Sequence, residues 1–273
     1  MVFAGLLFGQ KLLNPSALAV TVAAFFVFCG LSGVVYLVND VMDRRADRLH
    51  PKKKFRPVAS GALPVATAIG AAAVIAIASL AGAIAVGRGF ATVAVAYLVL
   101  LTLYSGPLKH LVILDVLTIA VGFVLRAAAG AVAVGVPISH WLLVCTILLA
   151  LFLALAKRRQ ELVVLAESAT SHRAILREYS PALLDQMIAV VTASTLMAYA
   201  LYTVSPETIA KVGNDRLLFT LPFPLYGIFR YLYLVHQRQG GGSPAEMLLE
   251  DRPLLLCAAL WAVAVAVIIY TPF

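Results

Sequence analysis

The chain has 273 residues, of which 62% are hydrophobic and 12% are charged, and its formal net charge at pH 7 is +8. The mean hydropathy of +0.97 lies far above that of soluble domains, and apolar runs long enough to cross a bilayer recur along the whole length. These properties exclude a soluble globular protein and predict an all-α polytopic membrane protein. In such a protein the basic excess reflects membrane orientation and anionic partners, so we do not expect nucleic acid binding.

Nine apolar segments follow one another along the chain. The first, residues 2–13, is too short to cross the bilayer, because a spanning helix needs about 20 residues. Full spans are predicted for the other segments, at residues 17–38, 65–86, 90–104, 111–134, 139–156, 183–204, 217–235 and 254–270. Residues 240–253, GGGSPAEMLLEDRP, predict a loop with a short helix between the last two. No soluble domain is evident, so residues 1–273 are expected to form a single integral membrane domain.

The densest cluster of charges, NDVMDRRADRLHPKKKFRPVASG (39–61), directly follows the second segment. Asp40, Asp43 and Asp47 have the spacing i, i+3 and i+7, which places three carboxylates on one face of a helix. Like charges on one face repel unless a cation lies between them, and Mg²⁺ commonly binds carboxylates together with substrate phosphates. The basic residues that follow would bind the rest of a phosphorylated substrate. These basic residues are Lys52, Lys53, Lys54 and Arg56.

A solvated interfacial loop with ordinary positive charge is the simpler alternative for residues 39–61, but it explains the lysines and not the spaced aspartates. The distribution of basic residues also predicts the orientation. Most of the 21 lysines and arginines lie in the loops after the second, fourth, sixth and eighth segments. The opposite loops hold only Lys11, Arg88, Lys211 and Arg216. The positive-inside rule therefore predicts a cytoplasmic aspartate loop and an active-site cavity on the cytoplasmic side.

Further candidate residues lie in the loop after the fourth segment, YSGPLKH, and in the fifth span. The loop contains Tyr104 and Lys109, and the span contains Asp115 and Arg126. Charged residues inside an apolar span are costly and normally face a cavity or a partner. Asp115 and Arg126 are separated by about 16 Å along a helix, which is too far for a direct ion pair. We therefore expect Asp115 to add a metal ligand and Arg126 to bind an anion.

The sixth segment ends in AKRRQE, which adds Lys157 and Arg158 as substrate-binding candidates. Basic residues at the cytoplasmic end of a span are also ordinary membrane anchors, so both interpretations stay open here. Glu161 is four residues after Lys157, the spacing of a common helix ion pair. Arg230 lies one turn inside the eighth segment and is expected to extend its guanidinium to the lipid headgroups.

Several motifs together resemble the UbiA-type intramembrane prenyltransferase superfamily. They are N-D-x-x-D-x-x-x-D at the end of an inward span, the loop Y-S-x-P-L-K, and the nine apolar segments. Finer features resemble its decaprenyl-phosphate phosphoribosyltransferase branch, and the resemblance covers nearly the whole chain. These features are His50-Pro51, Lys53-Lys54, Arg56-Pro57, LKH(x)₄D, GFVLRAAAG (122–130), AKRRQE, FPLYGIFRYLYL and LEDRP. The resemblance implies a nine-helix UbiA-like bundle with a shortened first helix, multi-pass in a bacterial plasma membrane.

The resemblance also implies a reaction. Such an enzyme transfers the 5-phosphoribosyl group from phosphoribosyl diphosphate to a polyprenyl phosphate, with Mg²⁺ as cofactor, and so supplies a cell-wall arabinan precursor. By resemblance, Mg²⁺ would be bound by Asp40, Asp43, Asp47 and Asp115. Asn39 would orient the metal's water ligands or the ribose, and Lys53, Lys54 and Arg56 would bind the phosphates of the donor. The remaining substrate-binding candidates are Tyr104, Lys109, Arg126, Lys157 and Arg158, the last four for the phosphate of the acceptor lipid.

The chain departs from the superfamily pattern in two places. Members usually carry a second pair of aspartates, whereas here Asp115 is followed four residues later by Ile119. The narrower branch shares this feature, which favours that branch. Relatives also begin with an arginine- and tryptophan-bearing segment, and this chain opens within a helix. We therefore expect a start further upstream or a shortened chain.

Two other functions are alternatives for this sequence. Prenyl transfer to an aromatic or quinone-type acceptor needs one anion site and one apolar pocket, and the surplus of cations with a single Asp115 favours two phosphorylated substrates instead. A transporter of anionic lipids would show no metal dependence, and transporters tend to have inverted repeats and broken helices, neither of which is evident here. The sequence does not decide between a monomer and a homo-oligomer.

Overall fold

The computed structural model describes residues 1–49, 53–166, 175, 178–237 and 244–271. In this part of the chain there are α-helices and short 3₁₀ helices but no β-strands. The α-helices, in chain order, are α1 Ala4–Phe8, α2 Pro15–Met42, α3 Arg44–Leu49, α4 Pro57–Ser60, α5 Val65–Val86, α6 Arg88–Ser105, α7 Leu114–Ala133, α8 His140–Ala166, α9 Pro181–Val204, α10 Pro206–Val212, α11 Pro222–Gln237, α12 Pro244–Glu250 and α13 Arg252–Tyr270.

Eight helical segments are long and apolar enough to cross a membrane, which confirms the eight predicted full spans. They are Pro15–Met42, Val65–Val86, Arg88–Ser105, Leu114–Ala133, His140–Val163, Pro181–Val204, Arg216–Gln237 and Arg252–Tyr270. The first apolar run forms only the five-residue helix α1, as its length predicts. The helices α2 and α8 are longer than predicted, because their backbone hydrogen bonding continues through the polar residues that follow each apolar run.

The ends of α2 follow from its sequence. The side chain of Asn14 accepts a hydrogen bond from the backbone N–H of Ala17 at 3.1 Å, and Pro15 occupies the first helical position, where no N–H is needed. The helix then runs 28 residues without a glycine or proline break severe enough to end it. It therefore brings Asn39 and Asp40, in its last turn, directly from the apolar span to the polar segment.

Tertiary contacts group the described residues into two compact units, the first from residues 1–138 and 169–178 and the second from residues 139–168 and 179–273. In the first unit α2 is central and packs against α5, α6 and α7. Its core contains Phe28, Phe90 and Tyr97, all less than 5% exposed. The ring of Phe28 meets those of Phe90 and Tyr97 edge to face, at centroid distances of 5.7 and 5.1 Å.

A close helix crossing joins α1 to α7 in the same unit. A Cβ atom at Gly5 would lie 2.5 Å from the backbone nitrogen of Ala131, and one at Gly130 would overlap the carbonyl oxygen of Val2. Small residues therefore allow the two backbones to approach closely, as is common between membrane helices.

The second unit is built from α8 to α13. Here α8 packs against α9, and α11 packs against α13. A chain of hydrogen bonds links three elements of this unit: Trp261 donates to the Tyr199 hydroxyl at 2.9 Å, and that hydroxyl lies 2.6 Å from Thr220 Oγ1. The predicted short helix in residues 240–253 is present as α12, and residues 240–243 lie outside the described part.

Candidate active site

The predicted helical spacing of the aspartates is retained in the structure. Asp43 follows the last residue of α2 and precedes α3, and its backbone φ and ψ of −89° and 3° interrupt the helix only slightly. The N–H of Asp43 donates to the carbonyl oxygen of Asn39, and the N–H of Asp47 donates to that of Asp43, each at 2.8 Å. The helical hydrogen bonding thus continues across the junction, and Asp40, Asp43 and Asp47 stay on successive turns.

The guanidinium of Arg56 lies between two of the carboxylates and offsets the repulsion between them. Its Nη1 atom lies 2.8 Å from Asp40 Oδ1 and 3.0 Å from Asp47 Oδ2, so one nitrogen joins the two aspartates. The Asp47 side chain is only 5% exposed, and a carboxylate this buried needs a charged or hydrogen-bonding partner. Asp40 also interacts electrostatically with Asp43 and Lys53, so all of these charges lie near one another.

The turn that carries Arg56 is defined by local sequence. Arg56 precedes Pro57 and has φ −59° and ψ 142°, the extended conformation that a following proline favours. Pro57 then starts α4, and Gly61 ends it with φ 88°, a left-handed conformation that glycine adopts without strain. Arg48 Nε on α3 donates to the carbonyl oxygen of Ala59 on α4 at 2.9 Å. The chain thus folds back so that Arg56 reaches Asp40 and Asp47. Lys52 and the pair His50-Pro51 lie outside the described residues.

Lys109 neutralises the third aspartate from a distant part of the chain. It lies on the 3₁₀ helix Leu108–His110, which follows α6. Its Nζ atom is 2.5 Å from Asp43 Oδ1, and the Lys109 side chain is only 7% exposed. The loop after α6 and the end of α2 therefore lie at the same end of the first unit, as the predicted topology requires.

Asp115 lies in the first turn of α7 and is completely buried. A negative charge is favourable there, because the free N–H groups of a helix N-terminus point toward it. Ile113, two residues before Asp115, has φ 69° and ψ −42°. A β-branched residue rarely adopts a positive φ, so the turn that leads into Asp115 is strained.

The donor set is chemically suitable for Mg²⁺, which prefers carboxylate oxygens and waters. As the side chains lie, no group of three or more His, Cys, Asp or Glu residues in the described part surrounds a common point suitable for a metal. Instead, Arg56 contacts the carboxylates of Asp40 and Asp47, and Lys109 contacts that of Asp43. The metal ligands Asp40, Asp43, Asp47 and Asp115 therefore remain a prediction whose chemistry fits.

The other candidate residues of the first unit are near the three aspartates or Lys109 in the chain. Asn39 is half-buried in the last turn of α2, and Tyr104 is half-buried near the end of α6. Lys53 and Lys54 lie on the 3₁₀ helix Lys53–Phe55. Lys54 is exposed, with its Nζ atom 5.1 Å from the centre of the Phe55 ring. Substrate binding by these residues stays a prediction.

Arg126 of α7 belongs to a polar cluster whose other members, Ser32 and Tyr97, were not among the predicted site residues. Its Nη2 atom donates to Ser32 Oγ of α2 at 3.1 Å and to the hydroxyl of Tyr97 of α6. Its guanidinium carbon lies 5.0 Å from the Tyr97 ring centre and 5.2 Å from that of Phe123. Ser32 precedes Asn39 by seven residues, two helical turns, and this periodicity is the signal that could have identified it. Binding of an anion by Arg126 remains a prediction.

Lys157 and Arg158 belong to the second unit. Lys157 is exposed, whereas Arg158 is only 3% exposed and its Nη1 atom lies 2.6 Å from Glu161 Oε2. The expected pairing of Glu161 with Lys157 was therefore wrong, because the i, i+3 neighbour Arg158 is turned toward the carboxylate. Substrate binding by Lys157 and Arg158 stays a prediction.

Two further ion pairs of the second unit depend on tertiary contacts. Arg159 of α8 pairs with Asp185 of α9, and His236 Nε2 lies 3.4 Å from the same carboxylate. Asp185 was overlooked, although an acidic residue inside a predicted span is a signal in itself. Arg230 Nη2 lies 2.8 Å from Asp251 Oδ2, and the expected extension of its guanidinium to the headgroups stays a prediction.

Solved structures confirm the fold. A UbiA homolog from Archaeoglobus fulgidus bound to DMAPP and Mg²⁺ superposes with a TM-score of 0.74, covering 99% of this chain and 94% of that one at 19% identity. The same homolog bound to GPP and Mg²⁺ superposes with a TM-score of 0.70 over 92% of this chain and 87% of that one, again at 19% identity.

Relatives in sequence are closer. A decaprenyl-phosphate phosphoribosyltransferase of Corynebacterium glutamicum is 32% identical over 264 residues, which cover 96% of this chain and 79% of the relative. A protein of the same name from Mycobacterium tuberculosis is 34% identical over 244 residues, 89% of this chain and 79% of the relative. The model of the UbiA prenyltransferase family matches residues 1–250. With the helical fold, the aspartate motif and these relatives together, the chain belongs to the UbiA prenyltransferase family.

Proposed function

We propose that this protein transfers the 5-phosphoribosyl group of phosphoribosyl diphosphate to a polyprenyl phosphate, such as decaprenyl phosphate, and releases diphosphate. The observation that carries the proposal is the 32–34% identity, over 89–96% of this chain, to proteins named decaprenyl-phosphate phosphoribosyltransferase. The polar groups of the first unit support it, because they combine carboxylates with more cations than one diphosphate needs. The product would serve as a precursor of cell-wall arabinan.

The donor half of the site is proposed to lie at the end of α2. Asp40, Asp43 and Asp47, with Asp115, are the proposed Mg²⁺ ligands, and Asn39 is proposed to orient the metal's waters or the ribose. When bound, Mg²⁺ would neutralise the negative charge that builds on the departing diphosphate. The donor's phosphates would be bound by Lys53, Lys54 and Arg56.

The acceptor half requires cations and no general base. A phosphate monoester has a second pKa of about 6, so the lipid phosphate is mostly a dianion at pH 7 and can attack directly. One of its oxygens forms a bond to ribose C1 while the bond from C1 to the diphosphate oxygen breaks, with positive charge on the sugar as in glycosyl transfer. Positioning and electrostatic stabilisation would supply most of the rate. The residues proposed to bind the acceptor are Tyr104, Lys109, Arg126, Lys157 and Arg158.

We further propose that the active face is cytoplasmic and that the membrane is a bacterial plasma membrane. The basic residues that follow the second, fourth, sixth and eighth apolar segments support this orientation through the positive-inside rule. We also propose that both compact units belong to one integral domain, and the family match over residues 1–250, which includes parts of both, supports this.

A radiolabel transfer assay tests the proposal. Purified protein in detergent receives Mg²⁺ and polyprenyl phosphate together with labelled phosphoribosyl diphosphate, and a parallel reaction receives labelled prenyl diphosphate with an aromatic acceptor. We expect label from the ribosyl donor to enter the lipid phase and EDTA to stop the transfer. Label that enters only an aromatic product would overturn the proposal.

Prenyl transfer is the second candidate, because the solved UbiA homolog is described with DMAPP or GPP and Mg²⁺. The parallel reaction of the same assay is designed for it. A transporter of anionic lipids would transfer label in neither reaction and would move lipid phosphate across vesicles without Mg²⁺.

A further inference from the structure

All three carboxylates of the aspartate motif are already paired with side-chain cations. Arg56 Nη1 contacts Asp40 and Asp47 at 2.8 and 3.0 Å, and Lys109 Nζ contacts Asp43 at 2.5 Å. Three carboxylates and two cations leave one formal negative charge in the group. The two cations come from different elements, the turn before α4 and the 3₁₀ helix after α6.

A metal ion and these two cations compete for the same three carboxylates. Mg²⁺ binds carboxylate oxygen at about 2.0–2.1 Å, and at that distance its double positive charge repels the guanidinium of Arg56 and the ammonium of Lys109, which already contact one oxygen of each carboxylate. Metal binding without another anion would leave both side chains displaced and unpaired. For Lys109, only 7% exposed, losing its carboxylate is costly, because a buried charge needs a partner.

A diphosphate removes this cost, because it offers the displaced cations new oxygen partners. Conversely, a diphosphate without a metal would approach three carboxylates and be repelled. Each ligand alone therefore leaves charged groups without an oppositely charged partner, whereas the two together provide a partner for the displaced cations and for the carboxylates. The pairs seen here have the geometry of such an exchange, since both cations contact the carboxylates through charge-assisted hydrogen bonds that phosphate oxygens can replace.

We propose that Arg56 and Lys109 act as internal counter-cations of Asp40, Asp43 and Asp47, so that the free protein binds a divalent metal weakly and takes it up together with a diphosphate. On binding, both side chains pass from the carboxylates to the oxygens of the diphosphate, which assigns Lys109 to the donor's phosphates and no longer to the acceptor's phosphate. The inference rests on the proposed function only in assuming that the site binds a divalent metal and a diphosphate. It does not depend on whether the diphosphate carries a ribosyl or a prenyl group. By linkage, the metal raises the affinity for diphosphate by the same factor as diphosphate raises that for the metal.

The test uses Mn²⁺, a hard cation that also prefers oxygen ligands, and inorganic diphosphate as probes. Electron paramagnetic resonance of free Mn²⁺ measures metal affinity without diphosphate for the wild type, Arg56→Gln, Lys109→Gln and Arg45→Gln. Arg45 is the matched control, because it is an exposed cation beside the motif that forms no ion pair within the described part of the chain. Equilibrium dialysis of labelled diphosphate, with and without Mn²⁺, measures the coupling.

We expect Arg56→Gln and Lys109→Gln to bind Mn²⁺ alone roughly tenfold more tightly than the wild type, since a charge-assisted hydrogen bond no longer competes. Arg45→Gln should match the wild type. Both site variants should lose part of the enhancement of diphosphate binding by Mn²⁺. Metal affinity that is unchanged or weaker in both folded site variants would overturn the proposal.

Diphosphate binding by the wild type also tests the proposed exchange, even if neither variant folds. Diphosphate binding that is equal with and without Mn²⁺ would contradict the proposed exchange, whereas binding at least tenfold tighter with Mn²⁺ would support it. The outcome is separable from the proposed function. Coupled binding without phosphoribosyl transfer would remove only the proposed reaction, and transfer without coupling would remove only this inference.

Discussion

Lys109 Nζ lies 2.5 Å from Asp43 Oδ1 and joins two positions that are 66 residues apart in the chain. The contact brings the loop after α6 to the end of α2, where the aspartate motif lies. It makes one charged group of two segments that the sequence presents as separate motifs, the spaced aspartates and YSGPLKH.

Replacing Asp40 or Asp43 by asparagine should abolish turnover without unfolding the protein. The substitution removes a proposed metal ligand at nearly constant volume, and we expect a loss of at least about a hundredfold in kcat/KM, equivalent to a few kcal/mol of transition-state stabilisation. Asp215→Asn is the matched control, because Asp215 is exposed and lies outside the site. Transfer rates and size-exclusion profiles are the measurements, and full activity of both site variants would remove the metal-site argument.

Replacing Lys54 by alanine should weaken binding of the sugar donor more than that of the lipid. Lys54 is exposed in the turn that carries Arg56 and contacts the Phe55 ring, so its charge is available to a soluble phosphate. We expect KM for phosphoribosyl diphosphate to rise by about tenfold, the loss of one charge-assisted hydrogen bond. A rise confined to KM for polyprenyl phosphate would reverse the assignment of the two anion sites.

Replacing Arg126 by glutamine should raise KM for polyprenyl phosphate by about tenfold or more, if the guanidinium binds the acceptor phosphate as proposed. Arg126→Lys should not restore it, because lysine lacks the planar group that stacks on Tyr97 while donating to Ser32. Tyr97→Phe keeps the ring and removes one hydrogen-bond acceptor, so it should have a smaller effect. A lower melting temperature with both KM values unchanged would show that Arg126 is purely structural.

Replacing Gly130 by alanine should destabilise the first unit by about 1–3 kcal/mol, the usual result of overpacking. The added methyl group would overlap the carbonyl oxygen of Val2 at the crossing of α1 and α7. Gly33→Ala is the matched control, because a Cβ atom there has no neighbour within 4 Å and alanine favours helix by up to about 1 kcal/mol. Thermal unfolding in detergent should separate the two variants, and equal melting temperatures would contradict the crossing.

Replacing Asp251 should give a pH-dependent loss of stability. A hydrogen bond from Arg230 lowers the pKa of Asp251 below its ordinary 3.8. A carboxyl whose folded-state pKa is lowered contributes stability above its unfolded pKa and loses that contribution as the pH falls through the folded pKa. Asp251→Asn should therefore be less stable than the wild type at pH 7, by roughly 0.5–1 kcal/mol for a partly exposed ion pair, and the difference should shrink below pH ~3.8.

Asp251→Ala adds a second effect. The Asp251 side chain also caps α13 by accepting a hydrogen bond from the N–H of Leu254 at 2.9 Å. Asparagine can keep this cap and alanine cannot, so the alanine variant should lose about 1 kcal/mol more at every pH. Melting temperatures at neutral and acidic pH check both points, and a gap between wild type and Asp251→Asn that does not change with pH would contradict the ion-pair assignment.

The sequence predicted the spans and the spacing of the aspartates well, because both depend on residues near one another in the chain. Apolar runs of sufficient length form helices in a bilayer whatever their neighbours. The spacing of Asp40, Asp43 and Asp47 needs only a continuous helical turn. The prediction failed where a side chain had several local options, as for Glu161, which pairs with Arg158 and not with Lys157. It also missed Ser32 and Asp185, whose partners lie on other helices.

Sequence by itself therefore determined the all-α membrane architecture, the acidic motif at the end of α2 and the set of candidate cations. Only the tertiary structure decided which cation meets which carboxylate. Asp40 meets a guanidinium 16 residues away, Asp43 an ammonium 66 residues away, and Arg126 a hydroxyl 94 residues away. Such contacts depend on how α2, α6 and α7 pack, because a charged side chain inside or beside the membrane pairs with the partner that packing brings within hydrogen-bonding distance.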